Sequence, residues 1–327
     1  MTDYKNLKLR ASSNPHIRNN EDTRKIMLDV IIALLPALAF GVYYFGMRVA
    51  IAAVVSVGSA VFFEWAYRKF TKKHCTIGDL SAAVTGLLLS LTCTPSLPYW
   101  MLVVGNFFAI VVVKQLYGGL GKNFMNPALG GRAALVACYA AAMTSWTNVD
   151  AATGATPMAI MKSGDFAALT SAYSVKDMFV GFIGGSAGEV SALCLILGGV
   201  YLIVRKVISW HIPVAYIGTV AVLTFAFPRG NDPVTFMLYN VLGGGLMLGA
   251  VFMATDYVTS PVTKKGQLIF GIGCGLFTVL IRYFGSYNEG VCYSIMVMNL
   301  LVPLIDKYTK PARFGVVKSD KKEAAAK

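Results

Sequence analysis

The residues best suited to covalent chemistry are Thr153-Gly154-Ala155-Thr156, which lie immediately before Pro157. Small residues ahead of Thr156 leave its hydroxyl accessible to another enzyme, and a proline disfavours a helical conformation at the residue that precedes it. A hydroxyl exposed in this way could carry a covalent group. We therefore take Thr156 as the candidate attachment point.

A second candidate site is the glycine-rich stretch 118–132, which contains Asn123 and Asn126. Glycines let backbone N–H groups approach a ligand, Asn126-Pro127 is a typical helix start, and asparagine amides can pair with the edge of a ring. The stretch lacks both a G-x-G-x-x-G sequence after a strand and a Walker A sequence, so a nucleotide-phosphate loop is not indicated. It predicts a helix entry that holds a ligand, and the alternative is a purely structural tight turn.

Two carboxylates at predicted membrane depth are candidates for an ion pathway. Asp256 follows a glycine-rich run and stands beside Thr255 and Thr259, and Glu289 stands at the end of an apolar run. Either carboxylate could bind or pass a hard cation such as Na⁺, because oxygen ligands and negative charge offset the cost of dehydration. The alternative is that each carboxylate caps a helix or pairs with Arg282.

The remaining polar residues indicate neither a metal site nor a catalytic residue. The six cysteines include no C-x-x-C pair, and the three histidines are isolated from one another. Four further acidic residues stand near the ends of apolar runs, where we expect interfacial water to hydrate them: Asp29, Glu64, Asp79 and Asp306.

The composition explains what must position these residues. The 327 residues are 56% hydrophobic and only 14% charged, whereas soluble domains carry about 25% charged residues. The net charge of +13 raises the question of nucleic acid, but the placement of the charges favours a membrane surface and no nucleic-acid partner. The first 25 residues show no removable signal peptide. We therefore expect one polytopic, all-α membrane domain with membrane lipid around it.

The apolar runs predict about ten transmembrane helices. Most Lys and Arg residues fall on one set of alternate connections, which places both termini in the cytoplasm. Residues 1–25 form a cytoplasmic segment, 26–305 the membrane domain and 306–327 a basic cytoplasmic tail. The long connection 146–187 is then on the outer side, and we expect part of it to be ordered rather than a plain solvated loop. The predicted spans are 26–45, 48–66, 80–94, 98–114, 127–145, 188–204, 211–227, 234–254, 267–284 and 290–305.

Five predicted spans precede the long connection and five follow it, so the halves 26–145 and 188–305 run in opposite directions. This is the plan of inverted-repeat transporters, whose broken helices meet near the middle of the membrane. The third span of each half reaches a proline-containing turn early, at Thr94-Pro95-Ser96 and at Thr259-Ser260-Pro261. This pattern is typical of a discontinuous helix that lines a cavity.

Several of these motifs together resemble a known family. Gly-Lys-Asn-Phe-Met-Asn-Pro-Ala-Leu-x-Gly-Arg-Ala at 121–133, paired with the motif at 153–156, is similar to the family that contains RnfD of Rnf complexes and NqrB of Na⁺-translocating NADH:quinone reductases. The segments 13–18, 252–256 and 264–266 also look similar, so the resemblance covers nearly the whole chain. The short amino terminus resembles the Rnf members more closely.

The resemblance implies a specific set of cofactors and partners. It implies FMN joined by a phosphoester to Thr156, within the motif Thr153, Gly154, Ala155 and Thr156. It implies a second, noncovalent flavin, riboflavin, that contacts Asn123 and Asn126. It further implies a fold like that of urea transporters, a place in the bacterial cytoplasmic (inner) membrane, and partners that are the other Rnf proteins (RnfA, RnfB, RnfC, RnfE and RnfG) and a flavin transferase.

The function that follows is electron relay through covalent FMN, coupled to Na⁺ or H⁺ transport, in a ferredoxin:NAD⁺ oxidoreductase complex. Ferredoxin and NAD⁺ would react on other subunits. Two other readings remain open at this point, because fold does not determine function. One is a channel or transporter for small solutes, similar to urea channels, and the other is a passive scaffold that holds redox subunits together.

Overall fold

The computed structural model describes residues 22–146, 156–230, 232–287 and 289–311, and within these ranges every regular element is helical. The helices of the first group are α1 (Thr23–Phe45), α2 (Met47–Phe70), α3 (Ser81–Thr92), α4 (Tyr99–Gln115), α5 (Pro127–Cys138) and α6 (Ala140–Thr144). Three short helices follow: α7 (Pro157–Ser163), α8 (Phe166–Ala172) and α9 (Val175–Val180). The last group is α10 (Ala192–Val204), α11 (His211–Ala226), α12 (Pro233–Leu242), α13 (Leu246–Met253), α14 (Lys264–Phe284) and α15 (Val291–Thr309).

The apolar helices are those of a multi-pass membrane protein. Among the described helices, α1, α2, α14 and α15 are long and apolar enough to cross a membrane, and the bent pair α12–α13 would make a fifth crossing. The helices α3, α4, α5, α10 and α11 are apolar but shorter. Large apolar side chains in the middle of long helices are exposed, such as Val54 in α2 and Ile272 in α14. In lipid, such side chains face the hydrocarbon.

A described helix lies at each of the ten predicted places, but two predicted spans are interrupted. The predicted span 127–145 breaks at Tyr139, between α5 and α6. The predicted span 234–254 breaks at Gly243–Gly245, where α12 and α13 meet at 58°. Gly244 and Gly245 take φ values of 66° and 68°, a left-handed conformation that glycine adopts without strain. The sequence predicted a discontinuous helix for this span, but from the proline-containing turn at Thr259-Ser260-Pro261 and not from a break at these glycines.

The described part of the long connection is ordered. α7, α8 and α9 lie within 156–187, and the side chains of Asp165 and Ser174 cap the second and third of them. The expectation of an ordered element in this connection is therefore confirmed for its described part.

Contacts between helices follow the same order in the two groups. In the first group α2 packs on α3 and α4, and α4 packs on α5; in the last group α11 packs on α12 and α14, and α14 packs on α15. The two groups join where α1 packs on α10 and where α5 packs on α15. Nearly every residue of α3 and every residue of α13 is buried, so these two helices lie in the interior of the molecule.

Small residues allow α1 and α10 to approach closely. The buried positions of α1 include Ala33, Ala37 and Gly41, which recur every four residues on one face. A Cβ atom on Gly198 of α10 would lie 2.3 Å from the carbonyl oxygen of Ala33. Close backbone approach through small residues is the usual way in which membrane helices associate.

We predict that Gly198→Ala lowers the thermal stability of the purified chain, because backbone must move to admit the methyl group, at a cost of about 1–3 kcal/mol. The matched control is Gly218→Ala in α11, where an added Cβ would meet no atom within 4 Å. This control should be neutral or stabilising by about 0.5–1 kcal/mol, since alanine favours helix. Equal melting temperatures for the two variants in detergent would show that the α1–α10 contact is not as close as described.

Candidate functional site

Thr156 lies at the start of α7, where its side chain caps the helix. Its φ and ψ angles of −65° and 155° are extended, as Pro157 requires, and its Oγ1 accepts a hydrogen bond from the Ala159 amide at 3.3 Å. Only 7% of Thr156 is exposed. The other predicted motif residues Thr153, Gly154 and Ala155 lie outside the described residues.

Thr156 lines a cleft of about 600 Å³, a volume that includes its opening to solvent. We call it the Thr156 cleft. Its walls are largely aromatic and apolar, and the rings of Tyr287 and Tyr293 lie 4.7 Å apart at its edge. The lining residues are Arg132, Val136, Met143, Thr144, Trp146, Thr156, Tyr287, Glu289, Gly290, Cys292 and Tyr293.

A partly buried ion pair forms one side of the Thr156 cleft. Arg132 donates through Nη2 to Glu289 Oε2, across 157 positions of sequence. The Glu289 carboxylate therefore pairs with Arg132, whereas Arg282 bonds to the Glu289 backbone carbonyl at 3.0 Å. The sequence indicated Arg282 as an alternative partner of this carboxylate. That alternative is wrong, because the guanidinium of Arg282 donates to carbonyl oxygens.

A second cavity, of about 730 Å³ including its opening, lies at the other end of α5. We call it the asparagine cavity. Asn123 and Asn126 line it together with Lys114, Thr255 and Asp256, and most of the remaining lining is apolar. The cavity therefore brings together three residues that the sequence had singled out in two separate segments.

The two asparagines differ in what their amides already contact. Asn126 Oδ1 accepts from the Ala128 amide at 3.0 Å and so caps α5, and its Nδ2 donates to the Met253 carbonyl at 3.1 Å. Asn123 Nδ2 donates to the Met125 carbonyl, but within the described chain its buried Oδ1 has no hydrogen-bond partner. Asn123 therefore has the free acceptor, and Asn126 fixes the helix start.

Asp256 lies just beyond the end of α13. Its Oδ2 accepts a hydrogen bond from the Thr259 hydroxyl at 3.0 Å, while Thr255 donates to the Val251 carbonyl of its own helix. Asp256 and Glu289 therefore do not share a site. One lines the asparagine cavity and the other the Thr156 cleft.

Sequence reasoning missed a buried charge pair beside the asparagine cavity. Lys114 Nζ donates to Glu64 Oε2 at 2.8 Å and to Ser81 Oγ at 2.6 Å, and both charged side chains are almost completely buried. The expectation that interfacial water hydrates Glu64 is therefore wrong. It is also wrong for the buried Asp29, which binds Tyr201 and Arg205. A helix end predicted from hydropathy does not reveal which face of the helix a carboxylate occupies.

Helix α5 connects the two cavities. Asn126 precedes its first residue and lines the asparagine cavity, whereas Arg132 and Val136 line the Thr156 cleft. With a rise of about 1.5 Å per residue, the ten residues from Asn126 to Val136 span about 15 Å along the helix axis. The two cavities thus lie one behind the other within one helix length.

These features define a class: an all-helical, multi-pass membrane protein with one ligand cavity at each end of a central helix. The model of the family described as NQR2, RnfD, RnfE matches residues 10–315. The chain therefore belongs to the NQR2, RnfD, RnfE family, and the resemblance noted in the sequence is confirmed.

Individual relatives match the chain over nearly its full length. The chain is 48% identical, over 98% of its own length and 99% of the relative's, to the D component of the Na⁺-translocating ferredoxin:NAD⁺ oxidoreductase complex of Acetobacterium woodii. It is 46% identical, over 93% of its own length and 95% of the relative's, to the D component of the proton-translocating ferredoxin:NAD⁺ oxidoreductase complex of Clostridium ljungdahlii. It is 37% identical, over 95% of its own length and 97% of the relative's, to the D component of the ion-translocating oxidoreductase complex of Stutzerimonas stutzeri.

We predict that Lys114→Met lowers stability strongly, by about 3–5 kcal/mol, because it leaves the buried Glu64 carboxylate without its charge partner. The double variant Glu64→Gln with Lys114→Met should lose less than the sum of the two single variants. Thermal unfolding of the purified chain measures both effects. Lys265→Met, which removes an exposed charge, is the control, and a similar loss in Lys114→Met and Lys265→Met would contradict the buried pair.

Proposed function

We propose that this chain is the membrane component of an ion-translocating ferredoxin:NAD⁺ oxidoreductase complex that carries FMN as a phosphoester on Thr156. The observation that carries the proposal is that Thr156, within the sequence Thr-Gly-Ala-Thr, lines a cleft with aromatic walls. Relatives that match almost the whole chain are named as the D component of such complexes. Those names give no support to a solute channel.

The residues of the Thr156 cleft fit the group that the proposal assigns to it. Trp146, Tyr287 and Tyr293 offer aromatic surface against which a planar ring system can pack. Arg132 lines the cleft beside its partner Glu289, and the guanidinium N–H groups that do not bond to Glu289 could donate to phosphate. Bound FMN would supply one- and two-electron redox chemistry. The protein's own part is to hold the ring, to fix the phosphate at Thr156 and to limit access of water.

The asparagine cavity suits a second, noncovalent flavin, which we propose to be riboflavin. Asn123 Oδ1 is buried and free to accept a hydrogen bond from a ring N–H group, and the apolar lining matches the faces of a ring system. Asn126 is held by Ala128 and Met253, so its contribution is to shape the cavity rather than to supply a free acceptor. Two flavin sites along α5 would let electrons cross the low-dielectric interior in steps.

Asp256 and Glu289 remain our candidates for the ion pathway. Each carboxylate lines one of the two proposed flavin sites, so the charge of the flavin and the binding of a cation can influence each other. Each elementary charge that crosses the membrane works against about 2.3 kcal/mol per 100 mV, which makes such coupling energetically useful. The relatives include both a Na⁺-translocating and a proton-translocating complex, and the coupling ion of this chain is therefore left as Na⁺ or H⁺.

For the arrangement in the membrane we propose ten helices in two inverted halves, 26–145 and 188–305, with a layout like that of urea transporters. Both termini, including residues 1–25 and the tail 306–327, would be in the cytoplasm, and the connection 146–187 with FMN would be on the outer side of the bacterial inner membrane. The repeated packing order of the two helix groups supports the internal repeat. The other proteins of the complex (RnfA, RnfB, RnfC, RnfE and RnfG) are the proposed partners, and a flavin transferase would attach FMN.

The first test is in-gel flavin fluorescence of the chain after denaturing electrophoresis. Cells that make the whole complex and the flavin transferase should give a fluorescent band for the wild type and none for Thr156→Ala. Thr144→Ala is the matched control, because Thr144 lines the same cleft outside the motif. A dark wild-type band, or equal fluorescence in Thr156→Ala, would contradict the covalent assignment.

The second test concerns the asparagine cavity. Asn123→Ala should reduce the noncovalent flavin released from the purified complex by acid, by at least about fivefold, because a buried ring N–H would lose its acceptor. Asn123→Asp keeps an oxygen at this position and should retain more flavin than Asn123→Ala. Fluorescence of the Thr156 band should be unchanged in both, and unchanged release from Asn123→Ala would show that no flavin contacts this residue.

A further inference from the structure

The connection between α9 and α10 folds back into the interior of the protein. We call residues 181–191 the Glu189 loop. The Gly188 amide donates to the Leu91 carbonyl at 2.8 Å and the Ala187 amide donates to the Cys93 carbonyl at 3.3 Å, at the carboxyl end of α3. The loop is therefore fixed against the point at which α3 stops within the molecule.

This loop places a carboxylate in the interior with one oxygen unsatisfied. Glu189 is 8% exposed, and its Oε1 accepts a hydrogen bond from the Ser186 amide at 3.1 Å. Within the described ranges, the other oxygen Oε2 is buried without a hydrogen-bond partner, and so is the Ser186 hydroxyl. The two buried oxygen atoms lie on one turn of chain, and the Ser186 hydroxyl acts on the Glu189 carboxylate, so both could bind the same ligand.

The unsatisfied oxygen lies where the broken helix begins again. A Cβ atom on Gly245, the residue before α13, would lie 2.5 Å from Glu189 Oε2, so only glycine leaves room for the carboxylate. The site is thus bounded by the end of α3 on one side and the start of α13 on the other. Ends of discontinuous helices inside a membrane protein are typical places for ion binding.

The charged groups around Glu189 already have other partners. Arg132 and Glu289 act on Glu189 electrostatically, but they are bonded to each other. Arg282 of α14 also acts on Glu189, and its guanidinium donates to the carbonyls of Asn240, Gly243, Gly244 and Glu289. No described cation forms an ion pair with the Glu189 carboxylate. A bound proton or small cation would stabilise a buried carboxylate in this position, because it has no counter-ion of its own among the described residues.

We propose that Glu189 Oε2 and the Ser186 hydroxyl bind a small monovalent cation, Na⁺ or a proton, at the junction of the two broken helices. This inference rests on the proposed function, to which it adds an ion-binding carboxylate between the end of α3 and the start of α13. With Na⁺, the two oxygens act as hard ligands that replace water. With a proton, Glu189 becomes a carboxylic acid whose O–H group can donate to a neighbouring oxygen.

Glu189 lines neither of the two cavities, unlike the two ion-pathway candidates that the sequence indicated. Of those candidates, Asp256 lines the asparagine cavity and Glu289 lines the Thr156 cleft. Glu289 and Arg132 of the Thr156 cleft both act electrostatically on Glu189, so the charge of that cleft would influence cation binding at Glu189. A cation bound at Glu189 would therefore sense the redox state of a group in that cleft.

The experiment uses the whole complex reconstituted into liposomes, driven by reduced ferredoxin and NAD⁺. Uptake of ²²Na⁺ per electron is measured for the Na⁺ arm, and internal acidification without Na⁺ and with a Na⁺ ionophore is measured for the proton arm. Glu189→Gln should lower the uptake per electron of whichever cation the complex transports, Na⁺ or H⁺, at least about tenfold. The rate of electron transfer with an uncoupler should stay within about twofold of the wild-type rate. Asp22→Asn, which removes an exposed carboxylate but keeps the helix cap, is the control.

Ser186→Ala is the second variant, because it removes a hydroxyl without a protein partner among the described residues and should leave folding intact. In the Na⁺ arm it should raise the Na⁺ concentration for half-maximal activity, and in the proton arm it should shift the pH dependence of acidification. Normal cation uptake per electron in an assembled Glu189→Gln complex, or no effect of Ser186→Ala in either arm, would overturn the proposal. In-gel fluorescence at Thr156 and uncoupled electron transfer report on the proposed function separately, so its failure can be told apart from failure of this site.

Discussion

Hydrocarbon offers no partner to a polar group, so every charge and every free backbone group inside this protein needs a partner within the protein or a bound ligand. The interior meets this constraint mostly by pairing. Glu64 is bonded to Lys114, Arg132 to Glu289, and Arg282 to a set of carbonyl oxygens at the break between α12 and α13. Among the described residues, buried oxygens without a hydrogen-bond partner remain on Asn106, Gln115, Asn123, Glu189 and Ser186, and the last three belong to the sites to which we assign ligands.

The same constraint explains why the helix breaks lie where they do. A helix can stop inside the membrane only if other segments take up its free backbone groups, and the Glu189 loop does this for the end of α3. Arg282 does it for the carbonyls of Gly243 and Gly244, and Asn126 does it for Met253 at the end of α13. Residues of α3 and of the end of α13 line the asparagine cavity, and the Glu189 loop contacts the end of α3 and the start of α13. The proposed sites for electrons and for ions thus arise from one architectural feature.

The sequence predicted much of the local structure but little of the pairing. Hydropathy located the apolar helices, the early proline-containing turns indicated broken helices, and the Pro157 that follows Thr156 predicted its extended backbone. Hydropathy did not reveal that Glu64 is buried, because a residue near a span end can face either lipid, water or protein. The Arg132–Glu289 pair joins residues 157 positions apart, and no local pattern specifies such a contact. Glu189 was missed because it stood at the end of a polar loop, where a hydrated carboxylate is the ordinary expectation.

The central claim is that a flavin is attached through phosphate to one threonine side chain, and peptide-level mass spectrometry tests it most directly. The chain would be isolated from the assembled complex in cells that attach flavins, cleaved, and the peptide containing residues 153–157 fragmented. We predict that this peptide carries the mass of one FMN less one water, with fragment ions that assign it to Thr156. An unmodified peptide at full occupancy, or FMN on a different residue, would contradict the account.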